Sequence, residues 1–197
     1  MYSCILLAAG FSSRFGSPKA LARFSGGSVI ERLQNTLLKS KLTDIIIVLG
    51  AHDEQIRPLV LKHKTIRVVH NKDYNLGQTC SFKIGLAALK PETRAVLLLP
   101  VDYPLISTAA VDALIDGFAE EPCDILVPTF NARRGHPPVF NASLKKELLA
   151  LDNGRGINSV FSQEGRSIRE MELKDPGVVK TFNTPEEFEA LRLREII

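Results

Sequence analysis

The sequence predicts an α/β fold: three layers, α/β/α, around a mostly parallel sheet. Three observations predict it. Short apolar runs alternate with amphipathic stretches from one end of the chain to the other. The runs are continuously apolar, as strands covered on both faces are. The stretches between them carry hydrophobic residues at helical spacing. The 197 residues suit a single domain, 1–197, long enough to bury a core without disulfides or a structural metal.

The elements follow in order. Ser3–Ala9 is a short apolar run that ends in Gly10, as a buried parallel strand does. Val29–Lys39 puts Val29, Ile30, Leu33, Leu37 and Leu38 on one helical stripe. Asp44–Leu49 contains a β-branched run and reads as a strand. His52–Leu61 reads as a helix with Asp53 and Glu54 in its first turn, and Ile66–Val69 as a short strand. Gln78–Leu89 is a helix with Cys80, Ile84, Ala87 and Ala88 inward.

Ala95–Leu99 is the most apolar strand. Ser107 is placed to cap the helix that carries Val111, Leu114, Ile115 and Phe118. Asp124–Val127 and Pro137–Phe140 read as strands, and Ser143–Leu151 and Ile157–Glu164 as helices. Ile168–Leu173 and Val178–Lys180 read as strands. Thr184-Pro185-Glu186-Glu187 is a helix start: a cap, Pro at the first helical position and acids in the first turn.

Composition narrows the function classes. Hydrophobic residues are 45% and charged residues 24%, which excludes disorder, collagen and coiled coil. The 25 Lys+Arg against 22 Asp+Glu leave a formal charge of +3. That excess is small and evenly spread, so neither a nucleic-acid groove nor a membrane patch is expected. It is compatible with a local pocket for a small anion. Cys4, Cys80 and Cys123 lie far apart, in an odd number. They fit neither a disulfide framework nor a zinc site, and read as reduced core thiols of a cytoplasmic protein. No apolar run approaches the ~20 residues of a membrane helix. Met1–Gly10 has no basic leader, so a first strand is expected there and not a signal peptide.

Ligands of such sheets lie beyond the carboxyl ends of the strands. The loops after Ala9, Val69, Leu99 and Val127 are therefore expected to line the site. The richest is Leu7-Ala8-Ala9-Gly10-Phe11-Ser12-Ser13-Arg14-Phe15-Gly16-Ser17-Pro18-Lys19-Ala20-Leu21. Its glycines let the backbone approach a ligand, its hydroxyls and N–H groups can donate, and Arg14 and Lys19 add two cations. That is the make-up of a polyphosphate cradle, and also of a solvated surface loop. It is neither a P-loop nor a Gly-x-Gly-x-x-Gly dinucleotide fingerprint, which counts against an NAD(P)-dependent enzyme.

The full string Leu-Ala-Ala-Gly-x-Ser-x-Arg-x-Gly-x-Pro-Lys resembles the signature of nucleotidyltransferases with a Rossmann-like fold of the nucleotide-diphospho-sugar transferase type. Within them the chain looks most like the MobA-like group, the molybdenum-cofactor nucleotidylyltransferases. Four later motifs appear in the expected order. Asn71-Lys72-Asp73-Tyr74-Asn75-Leu76-Gly77-Gln78-Thr79-Cys80-Ser81 resembles the segment that contacts base and ribose. Val101-Asp102-Tyr103-Pro104 resembles the Asp-x-Pro metal motif. Arg134-Gly135-His136-Pro137-Pro138 resembles the acceptor-side Gly-His-Pro segment of the cytidylyltransferase branch. Thr181-Phe182-Asn183-Thr184-Pro185-Glu186 resembles the closing motif, but with Thr181 and Asn183 where that branch carries aspartates.

The resemblance implies transfer of a nucleoside monophosphate from an NTP to an acceptor phosphate, with release of pyrophosphate. It implies Lys19, Arg14 and Asp102 as catalytic residues. Leu7, Ala8, Ala9, Gly10, Ser12, Ser13, Gly77 and Ser81 would bind the nucleotide, and His136 would lie on the acceptor side. Asp102 would hold Mg²⁺. Asn183 can offer a carbonyl to the ion but adds no negative charge, which counts against it as a second ligand. Ala9, the Gly77–Ser81 segment and Gly135-His136-Pro137 resemble the CTP branch, whereas Asn183 points to the GTP branch. The expected reaction is CMP transfer to a molybdopterin-type acceptor, with a molybdoenzyme as the implied partner. The alternatives are a sugar- or polyol-phosphate acceptor, or a non-catalytic molybdoenzyme maturation factor.

Overall fold

The structure is a computed structural model that describes residues 1–194. Its strands and helices run in this order: β1 (Tyr2–Ala8), β2 (Arg23–Phe24), β3 (Gly27–Ser28), α1 (Val29–Leu38), β4 (Asp44–Leu49), α2 (Asp53–Ile56), β5 (Ile66–His70) and α3 (Gln78–Ala87). There follow β6 (Ala95–Pro100), α4 (Thr108–Glu120), β7 (Ile125–Phe130), β8 (Arg133–Arg134), β9 (Val139–Asn141), α5 (Lys145–Ala150), β10 (Ile168–Glu172) and α6 (Pro185–Arg194). The main sheet has the order β10-β7-β9-β6-β1-β4-β5, with β8 paired to β7. β1 pairs in parallel with both β4 and β6, β4 with β5, and β7 with β10. β9 is the antiparallel insertion between β6 and β7.

Alternation along the strands builds two cores. Cys4, Leu6 and Ala8 of β1 face Val29, Ile30, Leu33 and Leu37 of α1 and the buried side of α4. Ile5, Leu7 and Ala9 face Phe82 and Leu86 of α3 and Leu148 of α5. Each fully buried aliphatic or aromatic side chain contributes roughly 1.5–3 kcal/mol relative to exposure. α1 starts on a complete capping box: the Ser28 hydroxyl accepts from the Glu31 N–H, and the Glu31 carboxylate accepts from the Ser28 N–H at 2.8 Å.

Several expected elements change form. The helix expected over 52–61 is one short turn, α2, followed by a 3-10 turn at Arg57–Leu59. Pro58 has no N–H for the helical ladder and restricts the residue before it. The strand expected at 178–180 is a 3-10 turn, Pro176–Val179. Asp175 imposes it, because its carboxylate accepts from the Gly177 N–H at 2.7 Å and the Ser107 N–H at 2.9 Å. The helix expected over 157–164 is likewise 3-10, Ile157–Ser162. The hairpin of β2 and β3, and β8, are two-residue strands too short for a periodicity signal.

The chain builds β1, β4 and β5 to one side, then returns to lay β6 on the other side of β1. Strand order therefore reverses beside β1, and a crevice opens beyond the carboxyl ends of β1, β4 and β6. Backbone bonds fix its walls: the Val101 N–H donates to the Leu7 carbonyl and the Ala51 N–H to the Ala9 carbonyl, each at 3.0 Å.

Candidate active site

The crevice holds a cavity of about 420 Å³. Leu7, Ala8, Ala9, Gly10, Ser12, Ser13, Arg14, Lys19, Gly77, Ser81, Asp102 and Asn183 all line it. Residues from the end of β1, the start of α3, the end of β6 and the approach to α6 thus meet in one place. Among the described residues, no helix is long and apolar enough to cross a membrane.

The loop after β1 is shaped by its own hydroxyl. Ser12 adopts φ +58°, and its carbonyl accepts from the Phe15 and Gly16 N–H groups. Its side-chain oxygen accepts from the Lys19 N–H at 3.2 Å, closing the loop and leaving the Ser12 O–H free to donate into the cavity. Phe15 anchors the loop from below, packing edge-on against Phe182 and Phe188.

The charged groups converge. Lys19 Nζ lies 3.3 Å from Asp102 Oδ2 and donates to Asn183 Oδ1 at 3.0 Å. Arg14 donates to the same Asn183 oxygen at 3.0 Å. Asn183 is placed from behind. The fully buried Phe182 donates its N–H to the Asp102 carbonyl, and the Asn183 N–H donates to the Glu187 carboxylate at 2.5 Å. That carboxylate belongs to the cap of α6, where the Thr184 hydroxyl accepts from the Glu187 N–H.

Asp102 Oδ1 is buried and has no hydrogen-bond partner. An orphaned buried carboxylate oxygen is costly, and it suits a hard cation with oxygen ligands. The residues fit a divalent metal with Asp102 as its one carboxylate. Among the described residues, no group of three or more His, Cys, Asp or Glu stands close enough to hold an ion by itself. Any ion here must take its remaining ligands from a substrate or water. The Asn183 oxygen already faces two cations, which counts against it as a second ligand.

Three further residues shape the site: Asn71 and Gln78, which lie in the Asn71–Ser81 segment but had no individual role from the sequence, and Gly50, which no motif included. Asn71 is fully buried; its amide donates to Ser81 Oγ at 3.0 Å, and its carbonyl accepts from the Asp73 N–H. It ties the segment after β5 to α3. A Cβ on Gly50 would meet the Ala9 carbonyl oxygen at 2.7 Å and Tyr74 at 2.8 Å, so only glycine lets the end of β4 close against β1. Its signal was the glycine that ends an apolar strand. Gln78 lines this cavity and a second one as well. Gly77 begins α3 at φ +92°, a conformation that favours glycine.

His136 lies apart from the residues of the loop after β1, in that second cavity of about 670 Å³, between the end of β7 and the segment 153–162. Its ring packs against that of Tyr103, tilted by 43° with 4.5 Å between centroids. Its Nδ1 is 3.4 Å from the Leu98 carbonyl, which can only accept. The contact assigns the ring proton to Nδ1 and leaves Nε2 an acceptor. Burial holds the imidazole below its ordinary value of 6.5, against the opposing pull of the Leu98 carbonyl and Asp102. Burial also pushes up the Tyr103 phenol, which hydrogen-bonds Thr181.

The His136 shift has a consequence for stability. A histidine whose folded value lies below its unfolded one binds fewer protons in the native state between the two. Its contribution is fully present above the unfolded value and is lost as pH falls below about 6.5. The urea midpoint of the wild type should therefore fall more steeply from pH 7 to pH 5 than that of His136→Gln. Parallel profiles would show that His136 is not held neutral by the fold.

The chain matches the family model described as MobA-like NTP transferase domain over residues 4–168. It is 29% identical over 168 residues to nicotine blue oxidoreductase of Paenarthrobacter nicotinovorans, covering 81% of this chain and 80% of that protein. It is 30% identical over 174 residues to the probable molybdenum cofactor guanylyltransferase of Bacillus cereus (strain AH187), covering 86% and 78%. To the molybdenum cofactor cytidylyltransferase of Escherichia coli (strain K12) it is 23% identical, covering 94% and 92%. Among solved structures, Rv0371c from Mycobacterium tuberculosis H37Rv superposes with a TM-score of 0.84 at 24% identity, 98% of each chain covered. Its complex with manganese gives 0.80 at 23%, again with 98% of each chain covered. At these identities the structural likeness carries the fold.

Proposed function

The chain belongs to the MobA-like NTP transferase family, and from that premise we propose that it transfers a nucleoside monophosphate to a phosphate-bearing acceptor and releases pyrophosphate. CMP from CTP is the favoured donor group, and a molybdopterin-type cofactor the favoured acceptor. One observation carries the reading: Lys19, Arg14 and Asp102 meet the Leu7–Ser13 loop on a single cavity. The relatives named for guanylyl and cytidylyl transfer to molybdenum cofactor support the acceptor class and leave both bases in play. Ala9 and the Gly135-His136-Pro137 segment favour CTP. Three free, buried thiols suit a cytoplasmic setting.

The chemistry follows from the groups present. An acceptor phosphate is largely ionised at neutral pH, so its oxygen can attack the α-phosphorus in line without a strong general base. Catalysis is then positioning and charge neutralisation. Lys19 and Arg14 offset charge on the triphosphate and the departing pyrophosphate. The Ser12 and Ser13 hydroxyls and the N–H groups of Gly10–Ser13 hold phosphate oxygens. Gly77, Ser81 and the Asn71 tether shape the wall for base and ribose. Asp102 would hold Mg²⁺, which when bound supplies Lewis-acid neutralisation of phosphate charge. The acceptor occupies the second cavity, where His136 offers a neutral acceptor nitrogen and Gln78 reaches both compartments.

A second reading, a non-catalytic maturation factor that binds a nucleotide or pterin, is favoured by one observation: Asn183 is an amide where a metal-ion transferase gains from a second carboxylate. A relative at 29% identity is named an oxidoreductase, so NAD(P)H oxidation is assayed as well. A pyrophosphate-release screen decides between them. Four NTPs are tested with Mg²⁺ against molybdenum cofactor and several sugar phosphates, alongside NAD(P)H oxidation. Acceptor-dependent pyrophosphate release with CTP is the expected result. NAD(P)H oxidation without pyrophosphate sinks the transferase reading, and nucleotide binding without turnover points to a maturation factor.

A further inference from the structure

We infer that Asn183 is a neutral clasp on Lys19 and Arg14, and that it makes divalent-cation binding depend on prior or joint binding of the nucleotide. The inference rests on the transferase reading. It starts from one oxygen. Asn183 Oδ1 accepts from Lys19 Nζ and from Arg14, each at 3.0 Å. Both cations are thereby aimed at the cavity before any phosphate arrives. Lys19 is further fixed by Asp102 Oδ2 at 3.3 Å and by the Phe182 ring, 5.3 Å from its Nζ.

The charge balance gives the clasp its second role. Two cations and one carboxylate face the cavity, which leaves one net positive charge. Glu187 stands behind, with its carboxylate held by the Asn183 and Thr184 N–H groups. A lone divalent cation approaching Asp102 Oδ1 meets the Lys19 ammonium, 3.3 Å from Asp102 Oδ2, and beyond it Arg14 on the same Asn183 oxygen, and like charges repel. A triphosphate reverses the sign, because it draws both cations to itself and brings several negative charges. The metal then enters a site that is net negative. An aspartate at 183 would remove this dependence: it would offer a second carboxylate and cancel one cation. Asn183 is thus a positioning residue that also sets the order of assembly.

The test reads binding, apart from turnover. Free Mn²⁺ is followed by electron paramagnetic resonance, and CTP and GTP binding by calorimetry, for wild type, Asn183→Asp and Asn183→Ala. Thermal melts confirm that each variant is folded; position 183 is partly exposed. Wild type should take up Mn²⁺ only with nucleotide. Asn183→Asp should bind Mn²⁺ alone, at least about tenfold more tightly than wild type, and bind nucleotide more weakly. Asn183→Ala should weaken nucleotide binding by about tenfold without gaining Mn²⁺ binding, because it removes the clasp and adds no charge. Stoichiometric Mn²⁺ binding to nucleotide-free wild type overturns the clasp while leaving the transferase reading intact. Failure of wild type to bind either nucleotide with Mn²⁺ overturns the transferase reading itself.

Discussion

Lys19→Ala is expected to lower acceptor-dependent pyrophosphate release by about 10²–10³, the loss seen when one preorganised donor to a developing oxyanion is removed. The ammonium is held on three sides, by Asp102 Oδ2, Asn183 Oδ1 and the Phe182 ring. Only 12% of its side chain is exposed. Negative charge grows on the departing pyrophosphate as its bond to the α-phosphorus breaks, so a cation fixed beside it stabilises the transition state more than the ground state. The effect should fall on kcat more than on KM. Lys19→Arg should recover part of the rate only, because the planar guanidinium cannot replace a compact ammonium in a slot shared by two oxygens. Steady-state pyrophosphate release is the measurement, and near-wild-type turnover in Lys19→Ala would refute the role.

Asp102→Ala is expected to abolish Mg²⁺-dependent turnover while the protein stays folded. Asp102 follows β6, and its carbonyl, which accepts from the Phe182 N–H, is unaffected by the substitution. What is lost is the carboxylate with its orphaned Oδ1. Removing it also leaves Lys19 and Arg14 without a counter-charge in the empty site. Nucleotide binding without metal should therefore hold or strengthen while turnover disappears. Calorimetry with CTP, paired with the pyrophosphate assay, separates the two effects. Full Mg²⁺-dependent activity in Asp102→Ala would remove the metal role from this residue.

How much of the site was legible depends on where each signal lies. The loop from Leu7 to Lys19 is contiguous, so glycines, hydroxyls and cations at fixed spacing could be read directly. Asp102 was legible from its place just after the most apolar strand. Asn71, Gly50 and Gln78 were harder. A fully buried asparagine tether, a close backbone approach and a side chain shared by two cavities are properties of juxtaposition. Gly50 carries a weak local mark, as a glycine at a strand end. Nothing local marks the 2.7 Å approach to the Ala9 carbonyl that makes it obligatory.

One of the element errors has the same origin. The expected strand at 178–180 is a turn because Asp175 caps it and ties it to Ser107. The short helix α2 shows the reverse case, since Pro58 was in plain view and outweighs the amphipathic spacing around it.

The sequence by itself determined the layered α/β architecture and marked the loop after β1 as the candidate site, because hydrophobic period and loop composition are local. Only the tertiary structure decided that Arg14 and Lys19 converge on Asn183 across 169 and 164 positions, and Lys19 on Asp102 across 83. It also decided that His136 stands in a separate compartment, that Asp102 keeps one oxygen unpartnered, and that Asn183 serves two cations. The reason is physical. Burial and charge balance belong to groups brought together by strand order, and strand order is set when β6 returns to the far side of β1.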